Sequence, residues 1–271
     1  MEVIVVKDYE EMSKEGAKIV RDAILEKPNL VLGLATGSTP IGLYKELIRM
    51  HKQEKLSFKR VVTFNLDEYI GLDKAHPQSY WYFMHDNLFN HIDIPKKNIH
   101  VPDGKADDIE KFCLWYEKEM EKLGGIDLQV LGIGRDGHIA FNEPGSSLGS
   151  RTRIKTLTKE TIEDNARFFK NMDEVPKFAI TMGVGTIMDA KHCLMLANGA
   201  NKAGVLAATV EGSVTAQVTA SVLQLHSKVT TICDEASSTC LKRKDYYKWI
   251  TENKYKVPKS AKKASVKSKK K

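Results

Sequence analysis

The stretch from residue 126 to residue 144 constrains the fold of this chain more than any other. It opens with the apolar run Leu128–Leu131, broken only by Gln129, which has the length and composition of a buried strand. Three glycines follow within six residues, and ionisable side chains stand among and after them: Gly132, Gly134, Gly137, Asp136, His138 and Glu143. A buried strand that runs into such a turn is how α/β sheets build sites at the carboxyl ends of their strands.

Six other segments repeat this order of apolar run, turn and helical pattern. The predicted strands cover residues 2–6, 30–35, 60–64, 128–131, 177–182, 193–197 and 229–233. A capping box at Asp8–Glu11 opens the first predicted helix, and Thr239–Asn253 forms the last. Strands that alternate with helices predict an α/β fold with a mainly parallel sheet, helices on both faces and an active site at the carboxyl ends of the strands.

The turn after the second predicted strand, Thr36-Gly37-Ser38-Thr39-Pro40, has the features of an anion site. Pro40 suits the first helical position, and Ser38 or Thr39 suits the helix cap. A strand, a glycine and hydroxyls before a helix direct free backbone N–H groups at one point, where a phosphate can bind. A capped helix without a ligand is the alternative.

Further polar groups follow other predicted strands. Asp67 and Glu68 come after the third strand, and at most one of them is expected to face a cleft because neighbouring residues point in different directions. The alternative is an N-cap and a surface acid. Arg167 and Lys202 are expected to close on the same anion, since a cation in the first turn of a helix, as at Lys202, is unfavourable without one. Residues 156–175 look helical but poorly amphipathic, which favours a mobile lid.

Together these groups predict a small phosphorylated substrate, one carboxylate that moves a proton, and an imidazole between two acids. An imidazole such as His138, flanked by Asp136 and Glu143, keeps a defined tautomer and exchanges protons near neutral pH. A metal site is less favoured, because Asp136-x-His138 supplies two ligands and no second histidine is near in sequence. The Gly-x-Ser-x-Gly turn of many Ser/His/Asp hydrolases is absent from the sequence.

Charge separates the chain into a body, residues 1–253, and a tail, residues 254–271. The 271-residue chain carries a formal net charge of +7, and the tail holds nine lysines and no acid, which leaves −2 on the body. The body is therefore not expected to be a basic nucleic-acid binder. We predict a single α/β domain followed by a disordered, solubilising tail. A weak tether to nucleic acid or to an acidic membrane surface is the alternative.

Signals of export or membrane insertion are absent from the sequence. No apolar stretch is long enough to span a bilayer, and the N-terminus lacks the basic and apolar regions of a secretory signal. The four cysteines are scattered, without a Cys-x-x-Cys pair. These features predict a cytoplasmic protein with free thiols.

Several of these motifs, in this order, resemble those of glucosamine-6-phosphate deaminases in the glucosamine/galactosamine-6-phosphate isomerase family. The matching segments are residues 34–40, 63–72, 134–144, 150–157 and 183–186, and the likeness extends over residues 1–253. The resemblance implies a Rossmann-like α/β fold and a role in amino-sugar metabolism. It implies the reversible conversion of glucosamine 6-phosphate and water into fructose 6-phosphate and ammonia, without a metal or organic cofactor.

The resemblance also implies a role for each matching residue. Asp67 resembles the base that moves a proton between C2 and C1 of the sugar through an enolamine. His138 resembles the group that opens the pyranose ring, with Asp136 and Glu143 orienting it. The residues that resemble the phosphate site are Gly37, Ser38, Thr39, Arg167 and Lys202.

Some members of this family form hexamers with an allosteric site for N-acetylglucosamine 6-phosphate. The residues that match this site are Ser146, Ser147, Arg153 and Lys155. Residues 215–218 and Lys248 differ from the pattern of allosteric members. We expect a homo-oligomer, with a hexamer as one arrangement, whose partner is a sugar phosphate rather than a membrane or a specific nucleic acid.

Two other functions fit parts of the pattern. A 6-phosphogluconolactonase would need the histidine and the phosphate site but not the Asp67 proton shuttle. A non-enzymatic sugar-phosphate sensor would keep the phosphate site, lose one or more of the four ionisable groups and add a DNA-binding domain. All four groups are present, and 271 residues leave no room for that added domain.

Overall fold

The structure is a computed structural model that describes residues 1–166, 169 and 171–254. Its strands are β1 (Glu2–Val6), β2 (Val31–Leu34), β3 (Val62–Asn65), β4 (Asp67–Tyr69), β5 (Ile99–His100), β6 (Leu128–Leu131), β7 (Arg153–Thr156), β8 (Phe178–Thr181), β9 (Cys193–Ala197) and β10 (Val229–Asp234). Its α-helices are α1 (Tyr9–Glu26), α2 (Ile41–Glu54), α3 (Tyr80–Asn87), α4 (Ile109–Lys122), α5 (Lys159–Ala166), α6 (Val184–Met188), α7 (Ala203–Glu211) and α8 (Lys244–Glu252).

Seven strands form a central parallel sheet in the order β1-β10-β9-β6-β2-β3-β5. Side chains alternate along β2, so that Leu32 and Leu34 join one hydrophobic core while Val31 joins the other. Helices α1, α2 and α3 supply the first core, and α4, α6 and α7 supply the second. The predicted parallel sheet with helices on both faces is therefore confirmed.

A second sheet of three antiparallel strands, in the order β4-β8-β7, was not predicted as such. The run at residues 177–182 was expected in the parallel sheet, but it forms β8 of this second sheet. No strand was predicted between residues 131 and 177, whereas Arg153–Thr156 form β7. The pattern Arg-Ile-Lys-Thr carries too little hydrophobicity to predict a strand, and its partner β8 lies far along the chain.

Two predicted helix starts were wrong. The last helix begins at Lys244 rather than at Thr239. Helix α2 begins at Ile41 with Pro40 as its N-cap, and neither Ser38 nor Thr39 caps it with a side chain. The capping box at the first helix is confirmed in its main part, because the Asp8 carboxylate accepts the backbone N–H of Glu11 at 3.0 Å.

The remaining expectations concern the lid, the tail and membrane-spanning segments. Residues Lys159–Ala166 of the predicted lid are helical, while Arg167 lies outside the described residues and the lid's mobility stays a prediction. The predicted tail also lies outside them, except for Lys254, whose ammonium pairs with Glu2 at 2.7 Å. No helix in residues 1–166 or 171–254 is long and apolar enough to cross a bilayer.

Strand order places the predicted site at the carboxyl ends of strands in the middle of the central sheet. Strand β6 lies between β2 and β9, and all three run in the same direction. The turn at residues 132–144, which follows β6, is therefore flanked by the turn after β2 and the turn after β9.

Candidate active site

The turn after β6 is closed by its own backbone. The N–H of Gly134 donates to the carbonyl oxygen of His138 at 2.8 Å. A Cβ at Gly134 would overlap the imidazole of His138, so the ring lies directly against this glycine. Gly137 has a φ of +89°, a conformation that favours glycine. The glycines thus let the chain fold back tightly beneath His138.

His138 and Asp136 form the central pair of the turn. Nδ1 of His138 lies 2.7 Å from Oδ1 of Asp136, which is an ion pair when the ring is protonated. Nδ1 has no partner among the described residues that meets the geometry of a hydrogen bond, so the contact is one of charge and proximity. Burial acts to raise the pKa of Asp136, but its contacts with His138 outweigh burial and hold that pKa below its usual value. An ionised carboxylate therefore lies beside Nδ1 and helps to orient the ring.

Contacts with β8 anchor the next part of the turn. Ala140 has a φ of +52°, which is strained for a residue with a side chain. The Asn142 amide donates to the carbonyl oxygens of Ile139 at 3.0 Å and of Met182 at 2.8 Å. The N–H of Phe141 donates to the hydroxyl of Thr181 at 3.1 Å. Fixed partners on β8 thus hold the strained segment in place.

Glu143 is 1% exposed and belongs to the same turn. Its Oε1 accepts the backbone N–H of Thr158 at 2.9 Å and the hydroxyl of Thr161 at 2.7 Å, both at the start of α5. Its Oε2 has no hydrogen-bond partner among the described residues. The sequence predicted that Glu143 flanks His138. In the described part of the chain, however, its carboxylate contacts α5 and not the imidazole.

Asp67 lies on β4, where it pairs with Thr181 of β8. It is 6% exposed, and burial, with a further contribution from the charge of Glu68, raises the pKa of Asp67 to about 8. Because Thr181 also binds Phe141, Asp67 and the turn at 132–144 share one neighbour. The predicted proximity of these two parts of the site is thus present in the fold.

Glu68 is not the surface acid of the alternative interpretation, since it is 3% exposed. Its carboxylate accepts the backbone N–H groups of Tyr69, Tyr80 and Trp81, each at 2.9 Å. Burial raises the pKa of Glu68 to about 7, although these hydrogen bonds act in the opposite direction. Both acids of the pair are therefore buried, in different surroundings.

The turn after β2 has free space around its glycine. Gly37 has a φ of +97°, and, its chain neighbours aside, no atom of the described residues lies within 4 Å of the place where a Cβ would stand. Ser38 is exposed. The hydroxyl of Tyr9 donates to the carbonyl oxygen of Ser38 at 3.0 Å and accepts the N–H of Gly42 at 2.8 Å, which fixes the turn against α1.

The turn after β9 meets the turn after β2 directly. The hydroxyl of Thr39 donates to Oδ1 of Asn198 at 2.9 Å. Both carboxylate oxygens of Asp234 accept the N–H of Gly199, at 3.0 and 3.1 Å. Lys202 follows as the N-cap of α7. The structure therefore brings Gly37, Ser38 and Thr39 to the same side of the sheet as Lys202, at the carboxyl ends of the strands. Arg167 lies outside the described residues.

Two of the four candidate allosteric residues follow the turn after β6, and the other two lie on β7 of the second sheet. Ser146 is buried, and its hydroxyl has no hydrogen-bond partner among the described residues. The Ser147 hydroxyl accepts the N–H of Gly149 at 3.3 Å. Arg153 and Lys155 stand two residues apart on β7 and so share one face of the strand.

Sequence reasoning missed several supporting residues, namely Thr158, Thr161, Thr181, Asn198 and Asp234. A local signal existed for one of them, because Asn198-Gly199 follows a predicted strand. The others act through partners that are distant in sequence. Among the described residues, no group of three or more His, Cys, Asp or Glu side chains is placed to hold a metal ion.

Comparison with known proteins assigns the chain to a family. Residues 8–232 match the model of the family described as glucosamine-6-phosphate isomerases/6-phosphogluconolactonase. The chain belongs to this family. A relative named glucosamine-6-phosphate deaminase from a Thermoanaerobacter species is 56% identical over 245 residues, which cover 90% of this chain and 97% of that protein. A relative of the same name from Shewanella woodyi is 54% identical over 250 residues, which cover 92% of this chain and 95% of that protein.

Solved structures give the same picture at the level of the fold. A structure described as a monomeric glucosamine-6-phosphate deaminase superposes with a TM-score of 0.87 at 47% identity, covering 89% of this chain and all of that one. A 6-phosphogluconolactonase from Trypanosoma cruzi superposes with a TM-score of 0.69 at 23% identity, covering 89% of this chain and 97% of that one. The lactonase similarity concerns the fold alone.

Proposed function

We propose that this chain is a glucosamine-6-phosphate deaminase that converts glucosamine 6-phosphate and water into fructose 6-phosphate and ammonia. The observation that carries the proposal is the placement of a buried carboxylate, Asp67, beside a turn that holds a His138–Asp136 pair. The deaminase name of relatives at 54% and 56% identity supports the same reaction.

The phosphate of the substrate binds between the turns after β2 and β9. Backbone N–H groups at Gly37, Ser38 and Thr39 face it, and Lys202 supplies a positive charge, with Arg167 as a second cation. The hydrogen bond between Thr39 and Asn198 keeps the two turns together. Anchoring one end of the sugar converts the reaction at C1 and C2 into an effectively intramolecular step.

His138 opens the pyranose ring. Its Nδ1 faces Asp136, so that Nε2 is the nitrogen available to exchange a proton with the sugar. Nε2 removes the proton of the C1 hydroxyl and delivers a proton to the ring oxygen, which breaks the bond between C1 and that oxygen. Glu143 supports the turn indirectly, through its hydrogen bonds to Thr158 and Thr161.

Asp67 then acts on the open-chain sugar. It removes the proton from C2 while the C1 oxygen takes up a proton from water, which gives an enolamine. It then returns its proton to C1, and the nitrogen gives up a proton to water. The product is the imine of fructose 6-phosphate, and water adds to its C2 and releases ammonia. A carboxyl group whose pKa is about 8 holds the transferred proton between the two steps without a large energetic cost.

We further propose that residues 1–253 form one catalytic domain, that the protein works in the cytoplasm and that it is a homo-oligomer. Two exposed apolar side chains on neighbouring strands of the second sheet, Ile154 (41% exposed) and Phe178 (47%), support self-association. The related structure described as monomeric makes the oligomeric state a direct test. Light scattering after gel filtration should give a mass above 30.5 kDa, and a monomer would contradict this part.

Allosteric control is a separate proposal, supported by the motif at Ser146, Ser147, Arg153 and Lys155. Saturation curves with and without N-acetylglucosamine 6-phosphate test it. A sigmoidal curve that becomes hyperbolic with the acetylated sugar supports an allosteric site. A hyperbolic curve that the effector does not change would contradict the proposed allosteric control.

One assay tests the reaction itself. The purified protein is incubated with glucosamine 6-phosphate, and ammonia and fructose 6-phosphate are measured as they form. Equal amounts of both products are expected. Hydrolysis of 6-phosphogluconolactone without ammonia release from the amino sugar would favour the lactonase function instead.

A further inference from the structure

The geometry points to Glu68 as a positioning residue that fixes the start of helix α3 against the strand that carries Asp67, and whose charge acts on that base. This inference rests on the proposed deaminase function. The sequence places Glu68 beside Asp67 but assigns it no role in the site. Its assignment comes from three contacts, from its burial and from its place in the chain.

Glu68 supplies acceptors that helix α3 lacks. The first N–H groups of a helix have no partner within it, and a negative charge there is favoured by the helix dipole. Ser79, the N-cap, accepts the N–H of Tyr82 at 3.0 Å. Glu68 accepts the N–H of Tyr80 through Oε1 and that of Trp81 through Oε2, each at 2.9 Å. One carboxylate from β4 thus ties down the first turn of α3.

The hydrogen bonds of Glu68 to the first turn of α3 place Tyr80 beside the base. The Tyr80 ring lies 5.0 Å from that of Tyr69 and is stacked 6.1 Å from that of Phe141, measured between ring centroids. Phe141 belongs to the turn that holds His138. Tyr80 therefore fills the space between β4 and that turn, and the charge of Asp67 contributes to the raised pKa of its hydroxyl. Loss of these hydrogen bonds would free Tyr80 to move away from the site.

The charge of Glu68 acts on Asp67 through proximity. The two residues are adjacent on β4, and both are nearly fully buried, where charges interact strongly. Asp103, in the loop before α4, also acts on Glu68, and the charge of Asp67 acts in turn on Tyr69 of β4, Tyr80 of α3 and Tyr116 of α4. Among these groups Glu68 is the acid adjacent to Asp67, so its ionisation opposes the ionisation of the base.

Two substitutions separate the two roles. Glu68→Gln removes the charge, and its single carbonyl oxygen can keep the bonds to Tyr69 and Tyr80 that Oε1 now accepts, while its amide NH₂ cannot accept the N–H of Trp81. Glu68→Asp keeps the charge, but its shorter side chain cannot reach the start of α3 in the same way. Asp93→Asn is the matched control, because the Asp93 carboxylate also accepts a backbone N–H, that of Phe58 at 2.6 Å, before β3 and at the opposite edge of the sheet.

The readout is the pH dependence of kcat/KM for deamination, which reports the ionisations of the free enzyme and the free substrate. The substrate contributes equally in every variant. Glu68→Gln should move the acid limb to lower pH by about half a unit or more, because Asp67 then ionises more easily. Glu68→Asp should leave the limb near its original place and lower kcat about tenfold by releasing Tyr80. Asp93→Asn should change neither quantity.

A titration of the resting protein tests the charge effect without relying on the reaction. Carboxyl carbon NMR of Asp67, assigned with Asp67→Asn, should show a lower pKa in Glu68→Gln than in the unmodified chain. An unchanged pKa of Asp67 and an unchanged acid limb would overturn the inference. If the unmodified chain released no ammonia, the proposed function would be wrong. The titration would still show whether the charge of Glu68 changes the pKa of Asp67. If Glu68→Gln did not fold, the Glu68→Asp profile would decide whether α3 is held through this carboxylate.

Discussion

Asp67 and Thr181 face each other across the antiparallel strands β4 and β8, and the hydroxyl of Thr181 accepts the N–H of Phe141 at 3.1 Å. One threonine thus joins the strand of the proposed base to the turn of the proposed ring-opening group. The distance between these two functions depends on a side chain that takes no part in the chemistry.

Thr181→Val should weaken this connection. Valine has nearly the same shape but leaves the buried N–H of Phe141 without its acceptor, which costs about 1–3 kcal/mol. We expect a lower free energy of unfolding by urea and a several-fold lower kcat. Thr231→Val is the matched control, because the Thr231 hydroxyl is buried without a hydrogen-bond partner among the described residues. Equal effects of the two substitutions would contradict the linking role of Thr181.

Asp67→Asn should abolish turnover and stabilise the protein at alkaline pH. The pKa of Asp67 is raised from 3.8 to about 8 in the folded state, so the folded chain holds a proton that the unfolded chain has already lost. Stability of the unmodified protein therefore falls as pH rises between these two values. Asparagine cannot ionise and escapes this loss.

Thermal unfolding at a series of pH values measures the effect. The melting temperatures of the two proteins should be similar near pH 4 and should differ by about 3 °C or more above pH 8, with Asp67→Asn the higher. Asp22→Asn, at an exposed carboxylate of α1, is the control for the exchange of an acid for an amide away from the site. Near-normal turnover in a well-folded Asp67→Asn protein would refute the assignment of the base.

The central sheet could be predicted because its strands are buried on both faces and stand out as apolar runs. Cys193–Ala197, for example, is apolar at every position and was predicted with the bounds that the structure has. Helices between such runs leave few arrangements other than a parallel sheet. The glycine-rich turn after β6 was recognisable for a similar reason, since its glycines and ionisable residues are adjacent in sequence.

The second sheet and the surroundings of the two acids could not be predicted in the same way. Asp67 and Glu68 carry charges that argue against a buried strand, and β4 forms only because β8 supplies its partner. The hydrogen bonds of Glu68 to α3 and of Glu143 to α5 connect segments separated by 12 to 18 residues. No local pattern records such contacts, because both partners are ordinary residues of their own segments.

His138→Gln should slow the reaction of the closed sugar far more than that of an open-chain analogue. Glutamine fills much of the same space but cannot relay a proton between the C1 hydroxyl and the ring oxygen. We expect a loss of about 100-fold or more in kcat with the pyranose form and a much smaller loss with an analogue that cannot cyclise. Equal losses with both substrates would argue against a ring-opening role.

Gly134→Ala should disable the site by displacing the imidazole rather than by removing it. A Cβ at this position would overlap the His138 ring, whose contact with Asp136 depends on its present position. Because small displacements of a catalytic group can cost about 100-fold in rate, we expect kcat to fall at least tenfold. Gly204→Ala is the control, since a Cβ at this exposed position of α7 would meet no atom within 4 Å from elsewhere in the described part of the chain. A Gly134→Ala protein with the kcat of the Gly204→Ala protein would show that the ring need not lie against the glycine.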